Sequence, residues 1–406
     1  MDSTEPLRDR ARAIFQAGLA AADPAAAVTR ALAGHPPPRG QRLILAVGKA
    51  ARRMAGAALD TLGSCETIVV TNDENAADLP GALVLAAGHP VPDARGAAAA
   101  ARVLDRLARL QPGDEVLALI SGGGSALLPA PVAGVSLADK VQVNRLLLAS
   151  GADIIRMNLV RQNLSRIKGG GLVRAAHPAR VVALILSDVV GDDLRAIASG
   201  PTVAPLGDAA AARAICRAHG IWDALPPAVR AHLDQDRALP PVPAADNRLI
   251  GSNALSVAAM AQAAPGAVVA AQPLTGDVEQ AAARILAAGP GPGVWLWGGE
   301  TTVTLRGQGR GGRNQELALR IAQGARWPGP WAFLSAGTDG RDGPTEAAGA
   351  LVDAGTCARI AAAGLDLADH LARNDSNPAL AAAGDLLVTG GTGTNVADLQ
   401  VLVLGS

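Results

Sequence analysis

The sequence predicts an α/β protein of two domains, the first on a mostly parallel sheet and the second mixed in strand direction. Three observations predict it. Over roughly the first 200 residues, short continuous apolar runs alternate with longer alanine-rich helical stretches, as where helices cover both faces of a parallel sheet. A proline-rich stretch then interrupts the pattern, and a later segment alternates apolar and polar residues as a half-exposed strand does. The length of 406 residues exceeds a single domain, at ~100–200 residues each.

Leu43–Val47, Thr67–Thr71, Leu83–Ala87, Val116–Ile120 and Val181–Leu186 read as the strands of the first sheet. Between them, Arg95–Leu110 carries Val103, Leu104, Leu107 and Leu110 on one helical stripe. Ser136 is the expected N-cap of a helix over Leu137–Ala149, with Gly151 just past its end. Residues 222–248 hold Pro226, Pro227, Pro240, Pro241 and Pro243 and read as a linker, which gives domains over 1–240 and 246–406. In the second domain Val294–Trp297 and Trp331–Leu334 read as buried strands, Thr301–Arg306 as the alternating one, and Asn314–Ala322 as a helix.

Charge and composition exclude several classes. Lys+Arg and Asp+Glu are both 36, so no overall positive field draws in nucleic acid. Tyrosine is absent and phenylalanine occurs twice, which leaves few rings to stack on bases. The N-terminal MDSTEPLRDRARAIF has no apolar signal core. The longest uncharged stretch, Leu249 to Gly276, is broken by Asn253, Gln262, Pro265, Gln272 and Pro273, so no membrane span is expected. Cys65, Cys216 and Cys357 fit neither a disulfide framework nor a thiolate metal site. A soluble cytoplasmic protein is expected, without nucleic-acid or membrane partners; the sequence leaves its oligomeric state open, with a homodimer among the options.

Open parallel sheets bind ligands beyond the carboxyl ends of their strands. Those ends carry Gly48-Lys49, Gly88-His89-Pro90, Ser121-Gly122-Gly123-Gly124-Ser125 and Ser187-Asp188, the last followed by Gly191-Asp192-Asp193. Gly122, Gly123 and Gly124 have the composition of an anion nest, with Ser121 and Ser125 as added donors; the alternative is a plain tight turn. Lys49 would reach a phosphate as a point charge, since a helix start disfavours a lysine otherwise. Lys168, in a basic glycine-rich segment, would neutralise an anion or merely cap a helix. Asp188 reads as a Mg²⁺ ligand, a general base or an N-cap, and Asp192 extends the acidic run toward a metal role. His89 is equally a substrate hydrogen-bonder or a structural turn residue.

In the second half, Gly307, Gly309 and Gly312 satisfy G-x-G-x-x-G between a strand and a helix. The preceding strand alternates, however, and Arg310 and Arg313 sit in the loop, which suits a charge-rich phosphoryl group better than a dinucleotide. Asn314 follows directly. Glu300 is a strand-end carboxylate, Asp339 lies in the glycine turn 337–343, and Thr394 and Asn395 offer polar groups in the turn 389–395.

These segments carry a resemblance. VGKAA (47–51), GHPVPD (88–93), ISGGGSALL (120–128), NLSRIKGGGL (163–172), LSDVVGDDLRAIASGPT (186–202), GGETTV (298–303), GGRNQE (311–316), SAGTDGRDG (335–343) and TGGTGTN (389–395) stand in the order found in the MOFRL-type glycerate 2-kinases, some of which bear the older name hydroxypyruvate reductase. The family pattern has proline where Gly391 stands. The resemblance implies a Rossmann-like, doubly wound N-terminal domain, a smaller mixed α/β C-terminal domain and an active site in the cleft between them. It also implies phosphorylation of D-glycerate at its 2-hydroxyl, dependent on ATP and Mg²⁺, with Lys49 and Arg313 as the key cations.

Combined with the strand-end reading, this makes Lys49, Arg313 and Asp188 the expected catalytic groups, and Asp188 and Asp192 the expected metal ligands. Residues expected to contact ATP or substrate are Ser121, Gly122, Gly123, Gly124, Ser125, Lys168, Gly309, Arg310, Asn314, Glu300, Asp339, Thr394 and Asn395. The competing readings are an NAD(P)H-dependent hydroxypyruvate reductase, built on the 307–312 glycines, and a non-catalytic ligand sensor.

Overall fold

The computed structural model describes residues 4–235, 240–287 and 291–405. They form two compact units, Pro24–Ile250 and a second made of residues up to Asp23 together with those from Gly251 onward.

In the first unit, β1 (Arg42–Val47), β2 (Glu66–Asn72), β3 (Leu83–Ala87), β4 (Glu115–Ile120), β5 (Arg180–Leu186) and β6 (Asp246–Gly251) form one sheet. Its order is β3-β2-β1-β4-β5-β6, and the pairs β2–β3, β1–β2, β1–β4 and β4–β5 are parallel. This is the doubly wound order, whose direction of growth reverses between β1 and β4.

The continuous apolar runs have their expected cause. Leu43, Leu45 and Val47, Val116, Ala118 and Ile120, and Val181, Ala183 and Ile185 share one core with the helices Ala94–Leu107 and Gly171–Ala176. The helices Pro24–Leu32 and Ala51–Leu62 pack on the sheet as well. Each buried Val, Leu or Ile contributes ~1.5–3 kcal/mol, so a wholly buried strand such as EVLALI has no face to give to solvent. Helix Leu137–Ala149 opens with a capping box: Ser136 Oγ accepts from the Asp139 N–H at 3.0 Å, and the Asp139 carboxylate accepts from the Ser136 N–H at 2.8 Å.

The proline-rich stretch is not an open linker. Helix Pro227–Leu233 buries Val229 and Leu233 in one cluster with Met157, Val160, Ala212 and Cys216, and β6 joins the sheet soon after. Pro227 sits at the first helical position, where its missing N–H leaves nothing unbonded. Residues 236–239 of that stretch lie outside the described residues.

The second unit is built on β7 (Val268–Val269), β8 (Leu274–Asp277), β9 (Gly293–Thr302), β10 (Trp331–Gly337), β11 (Gly349–Asp353), β12 (Leu386–Leu387) and β13 (Asp398–Leu404). The order is β12-β11-β10-β13-β9-β7, with β8 also on β9. β7 and β8 run parallel to β9, whereas β9–β13, β13–β10, β10–β11 and β11–β12 are antiparallel, so the sheet is mixed. Helices Val278–Leu286 and Arg313–Gly324 pack in one core and Glu5–Ala21 and Asn253–Ala263 in another. The N-terminal helix thus belongs to this unit, held by buried Arg8 between Asp353 and Asp385.

The alternating segment Thr301–Arg306 is a strand only to Thr302. Beyond it, side-chain bonds replace the ladder: Thr304 Oγ1 donates to Asp277, and Asn374 Oδ1 accepts from the N–H groups of Arg306 and Gly307. No helix among the described residues is long and apolar enough to cross a membrane.

Candidate active site

The reversal between β1 and β4 brings two strand ends side by side. Backbone bonds lock them: Ser121 N–H to Val47 O and Lys49 N–H to Gly122 O, both 2.9 Å. Ser121 is itself buried, its Oγ accepting from the Ala50 N–H at 3.1 Å. The sequence must be glycine next. A Cβ on Gly122 would run into the Asp188 carboxylate at the end of β5. Gly123 has φ +84°, and a Cβ there would lie 3.1 Å from His89 Cδ2 and 3.3 Å from Lys49 Cγ. Lys49, His89 and Asp188, from three strand ends, therefore converge on one glycine turn.

The electrostatics of the three differ. Burial raises the Asp188 pKa above the usual carboxylate range, against the pull of Lys49. Burial and then the Lys49 charge lower that of His89, which favours neutral imidazole. Lys49 is half-buried, and its ammonium makes no hydrogen bond to any described residue. A cation with open donors thus stands beside a carboxylate poised to take a proton.

Lys168 supports this turn from within. Its buried Nζ donates to Ser125 O at 2.9 Å, to Ser125 Oγ, and to Ser199 Oγ at 3.3 Å. Ser199 Oγ in turn donates to Asn158 Oδ1 at 3.0 Å. Ala198 and Ser199 hold left-handed φ values of 48° and 61°, an unfavourable conformation kept where Ser199 must reach Ser125 and Lys168. Burial, then Lys140 and Arg161, push the Lys168 pKa well below its ordinary value. Lys168 and Ser125 thus hold the glycine turn through these internal bonds, and both also line a cavity beside it. Asp192 has φ 55° and a buried Oδ1 without a hydrogen-bond partner.

The remaining predicted residues belong to the second unit. Arg313 grips Asp398 with two bonds, Nε to Oδ2 at 2.6 Å and Nη2 to Oδ1 at 2.9 Å, and its Nη1 lies 3.2 Å from Glu300. Burial opposes its charge, but Asp398 outweighs burial and raises its pKa. The N-terminus of helix Arg313–Gly324 is occupied: the Asp342 carboxylate accepts from the N–H groups of Asn314 (3.1 Å) and Gln315 (2.8 Å). Burial pushes the Asp342 pKa up to about 6.

The G-x-G-x-x-G loop rests on its own chain. The Gly309 N–H donates to Arg373 O at 3.0 Å and the Arg310 N–H to Asp375 Oδ1 at 2.8 Å. Asn314 is buried and accepts from Ser335 Oγ at 2.6 Å. Asp339 accepts from the Arg341 N–H, Asn395 Oδ1 from the Ala397 N–H, and Thr394 Oγ1 donates to Ala22 O. The structure thus unites Lys49, Ser121–Ser125, Lys168 and Asp188 in the first unit, and Arg313 with Glu300 in the second. Sequence reasoning did not single out Ser199, Asn158, Asp342 or Asp398, all buried polar residues. Asp342 and Ser199 lie inside recognised segments, which was the available signal.

Comparison with known proteins follows the same division. A model described as a domain of unknown function (DUF4147) matches residues 10–234, and the MOFRL family model matches 293–398. A protein of Agrobacterium vitis that bears hydroxypyruvate reductase as a provisional name is 42% identical, over 97% of this chain and 94% of its own length. The glycerate 2-kinase of Pyrococcus horikoshii is 38% identical over 91% of this chain and 88% of its own. The crystal structure of a glycerate kinase from Thermotoga maritima superposes with a TM-score of 0.92 at 36% identity, covering 99% of this chain and 100% of that one.

Proposed function

The chain belongs to the glycerate kinase family that couples a DUF4147 domain to a MOFRL domain, and we propose that it transfers the γ-phosphoryl group of ATP to the 2-hydroxyl of D-glycerate, giving 2-phosphoglycerate. The convergence of Lys49, His89 and Asp188 on the Gly122–Gly123 turn carries the reading. Phosphoryl transfer needs positioned charge more than covalent chemistry. Lys49, with open donors, neutralises the transferring group. The glycine turn lets backbone approach anionic oxygens closely. Asp188, its pKa raised by burial, takes the proton leaving the acceptor hydroxyl. Arg313 is the second cation of the proposal, its guanidinium plane fixed by Asp398.

Mg²⁺ fits the same strand end. Asp192 offers a buried oxygen without a partner, and Asp188 would be the second carboxylate as the alternative to its role as proton acceptor. The described residues contain no group of three or more His, Cys, Asp and Glu suited to a metal, which agrees with a cation that takes one or two carboxylates and otherwise phosphate and water. Bound there, it would supply neutralisation of phosphate charge.

The reductase reading rests on the name of the Agrobacterium relative and on the 307–312 glycines. The geometry speaks against it, because a dinucleotide pyrophosphate needs the loop N–H groups and helix N-terminus that Arg373, Asp375 and Asp342 already occupy. The test is incubation with D-glycerate and MgATP, scoring ADP and separating 2- from 3-phosphoglycerate, with NADH and hydroxypyruvate in parallel. ADP with 2-phosphoglycerate is expected; NADH consumption without ADP formation would overturn the proposal.

A further inference from the structure

Three of the 36 basic residues in this chain are lysines, and all three stand at one place. Lys49 lies against Gly123, while Lys140 and Lys168 line a cavity of about 350 Å³ that also includes Gly123, Ser125 and His89. Everywhere else the chain uses arginine. A lysine is a compact, titratable point charge, where arginine is a permanently charged fork. Arg145 and Arg161 complete the basic wall, from the helices Leu137–Ala149 and Ile154–Asn163.

No aspartate or glutamate lines this cavity. Among the described residues, none of Lys140, Arg145, Arg161 and Lys168 pairs with a carboxylate. Their bonds go to neutral groups: Lys140 Nζ to Leu164 O at 2.8 Å and Arg161 Nε to Asn144 Oδ1 at 2.9 Å. Burial, then Arg161, lowers the Lys140 pKa to about 7, and burial lowers that of Arg161. Buried Lys168 and half-buried Lys140 and Arg161 crowd like charge without a counter-charge, which is unfavourable, and exposed Arg145 adds a fourth cation, so the arrangement suits an anion. The rest of the wall suits a short carbon chain: Pro90, Pro92, Ala126 and Pro129 are small or rigid, and no Phe or Trp offers a ring face to a purine. Lys49 and Asp188 are not among the lining residues, so the groups assigned to phosphoryl transfer and the basic wall are separate sets that meet at Gly123.

We propose that this cavity holds the acceptor, a small 2-hydroxycarboxylate whose carboxylate lies among Lys140, Arg145 and Arg161 and whose 2-hydroxyl reaches the Gly123 turn beside His89. The assignment of D-glycerate as that acceptor rests on the function proposed above. The 2-hydroxyl is on the carbon next to the carboxylate, so anchoring the carboxylate here selects the hydroxyl that meets the turn. Arg161 and Arg145 become specificity-determining residues for the acid, distinct from those that act on phosphate.

The test combines calorimetric titration of D-glycerate without nucleotide, the same titration with ATP, and steady-state kinetics, on the wild type, Arg161→Gln and Arg145→Gln. Loss of one charged contact to a carboxylate is worth ~1.4 kcal/mol or more, which is a tenfold or larger rise in Kd and KM for glycerate. ATP constants should stay within about twofold, as expected for a contact the nucleotide does not make. A rise in the ATP constants with glycerate unchanged would assign the cavity to nucleotide phosphates and overturn the proposal, as would no change in either. Arg145 is exposed, so its variant decides the matter should Arg161→Gln fail to fold. A wild type that binds glycerate through Arg161 yet forms no phosphoglycerate refutes the kinase and keeps the cavity. One that phosphorylates glycerate with KM indifferent to both arginines does the reverse.

Discussion

Gly122→Ala perturbs the turn on which the proposed chemistry depends. The added Cβ meets the Asp188 carboxylate, and the turn has little room to retreat, because Lys49 N–H and Ser121 bind it to the end of β1. Forcing a methyl into such a site costs ~1–3 kcal/mol. At ~2–4 °C per kcal/mol for a domain of this size, the melting temperature should fall by about 2–12 °C. A displacement of ~1 Å at reacting groups costs ~10²-fold, so kcat/KM should fall by about that factor. Gly391→Ala is the control, since a Cβ there meets nothing within 4 Å and should shift stability by no more than ~0.5 kcal/mol. The assay is a double-mutant cycle of Gly122→Ala with Asp188→Ala, read by thermal denaturation. Removing Asp188 should abolish most of the penalty, a coupling of ~1–3 kcal/mol. Equal penalties in both backgrounds would show that Gly122 and Asp188 do not oppose each other, and the geometry of the turn would be wrong.

Two other outcomes follow from Lys168 and Lys140. Lys168→Met strips the donors from Ser125 O and Oγ and Ser199 Oγ; each unsatisfied acceptor costs ~1–3 kcal/mol, so denaturant midpoints should fall and kcat with them, and an unchanged kcat would remove Lys168 from the support of the turn. For Lys140, with its folded pKa near 7 against an ordinary 10.5, the unfolded chain carries a proton that the folded chain lacks in that window. Stability should therefore rise with pH between those values, by up to ~1.4 kcal/mol per pH unit, and Lys140→Met should remove that part of the slope in denaturation curves. Identical slopes in the two proteins would show that Lys140 titrates normally.

Much of the first sheet was legible because its central strands β1, β2, β4 and β5 are buried on both faces, and half-buried β3 is still an unbroken apolar run. Each of the five strands read from an apolar run is present within one residue of its expected ends, since nothing polar interrupts a run such as VVALIL. Ser136 announced its helix through capping chemistry that acts locally. What needed distant partners was hidden. The N-terminal helix takes its place from Arg8, helix Asn253–Ala263 and the faces of β10 and β13, all distant in sequence. Thr301–Arg306 alternates as a strand would, but Asn374, far along the chain, takes the N–H groups of Arg306 and Gly307 at its end.

The site divides in the same way. The glycines at 122–123 and the lysine at 49 stand at strand ends, which sequence order locates. Whether a glycine loop faces a ligand or its own chain is not written locally. The turn at 122–123 gathers Lys49, His89 and Asp188, whereas the 307–312 loop, of similar composition, packs on residues 373–375. The internal role of Lys168 was not legible either, because its bonds to Ser125 and Ser199 depend on a left-handed turn some thirty residues on that brings three oxygens to one lysine.

The claim that the β1–β4 strand ends carry out phosphoryl transfer is tested most directly by the kinetics of Lys49→Ala with D-glycerate and MgATP, on protein shown to keep its melting temperature. An interaction made chiefly with the transferring group predicts a kcat lower by ~10³-fold or more with the glycerate KM little changed. Near-normal turnover with only a raised KM would contradict the account.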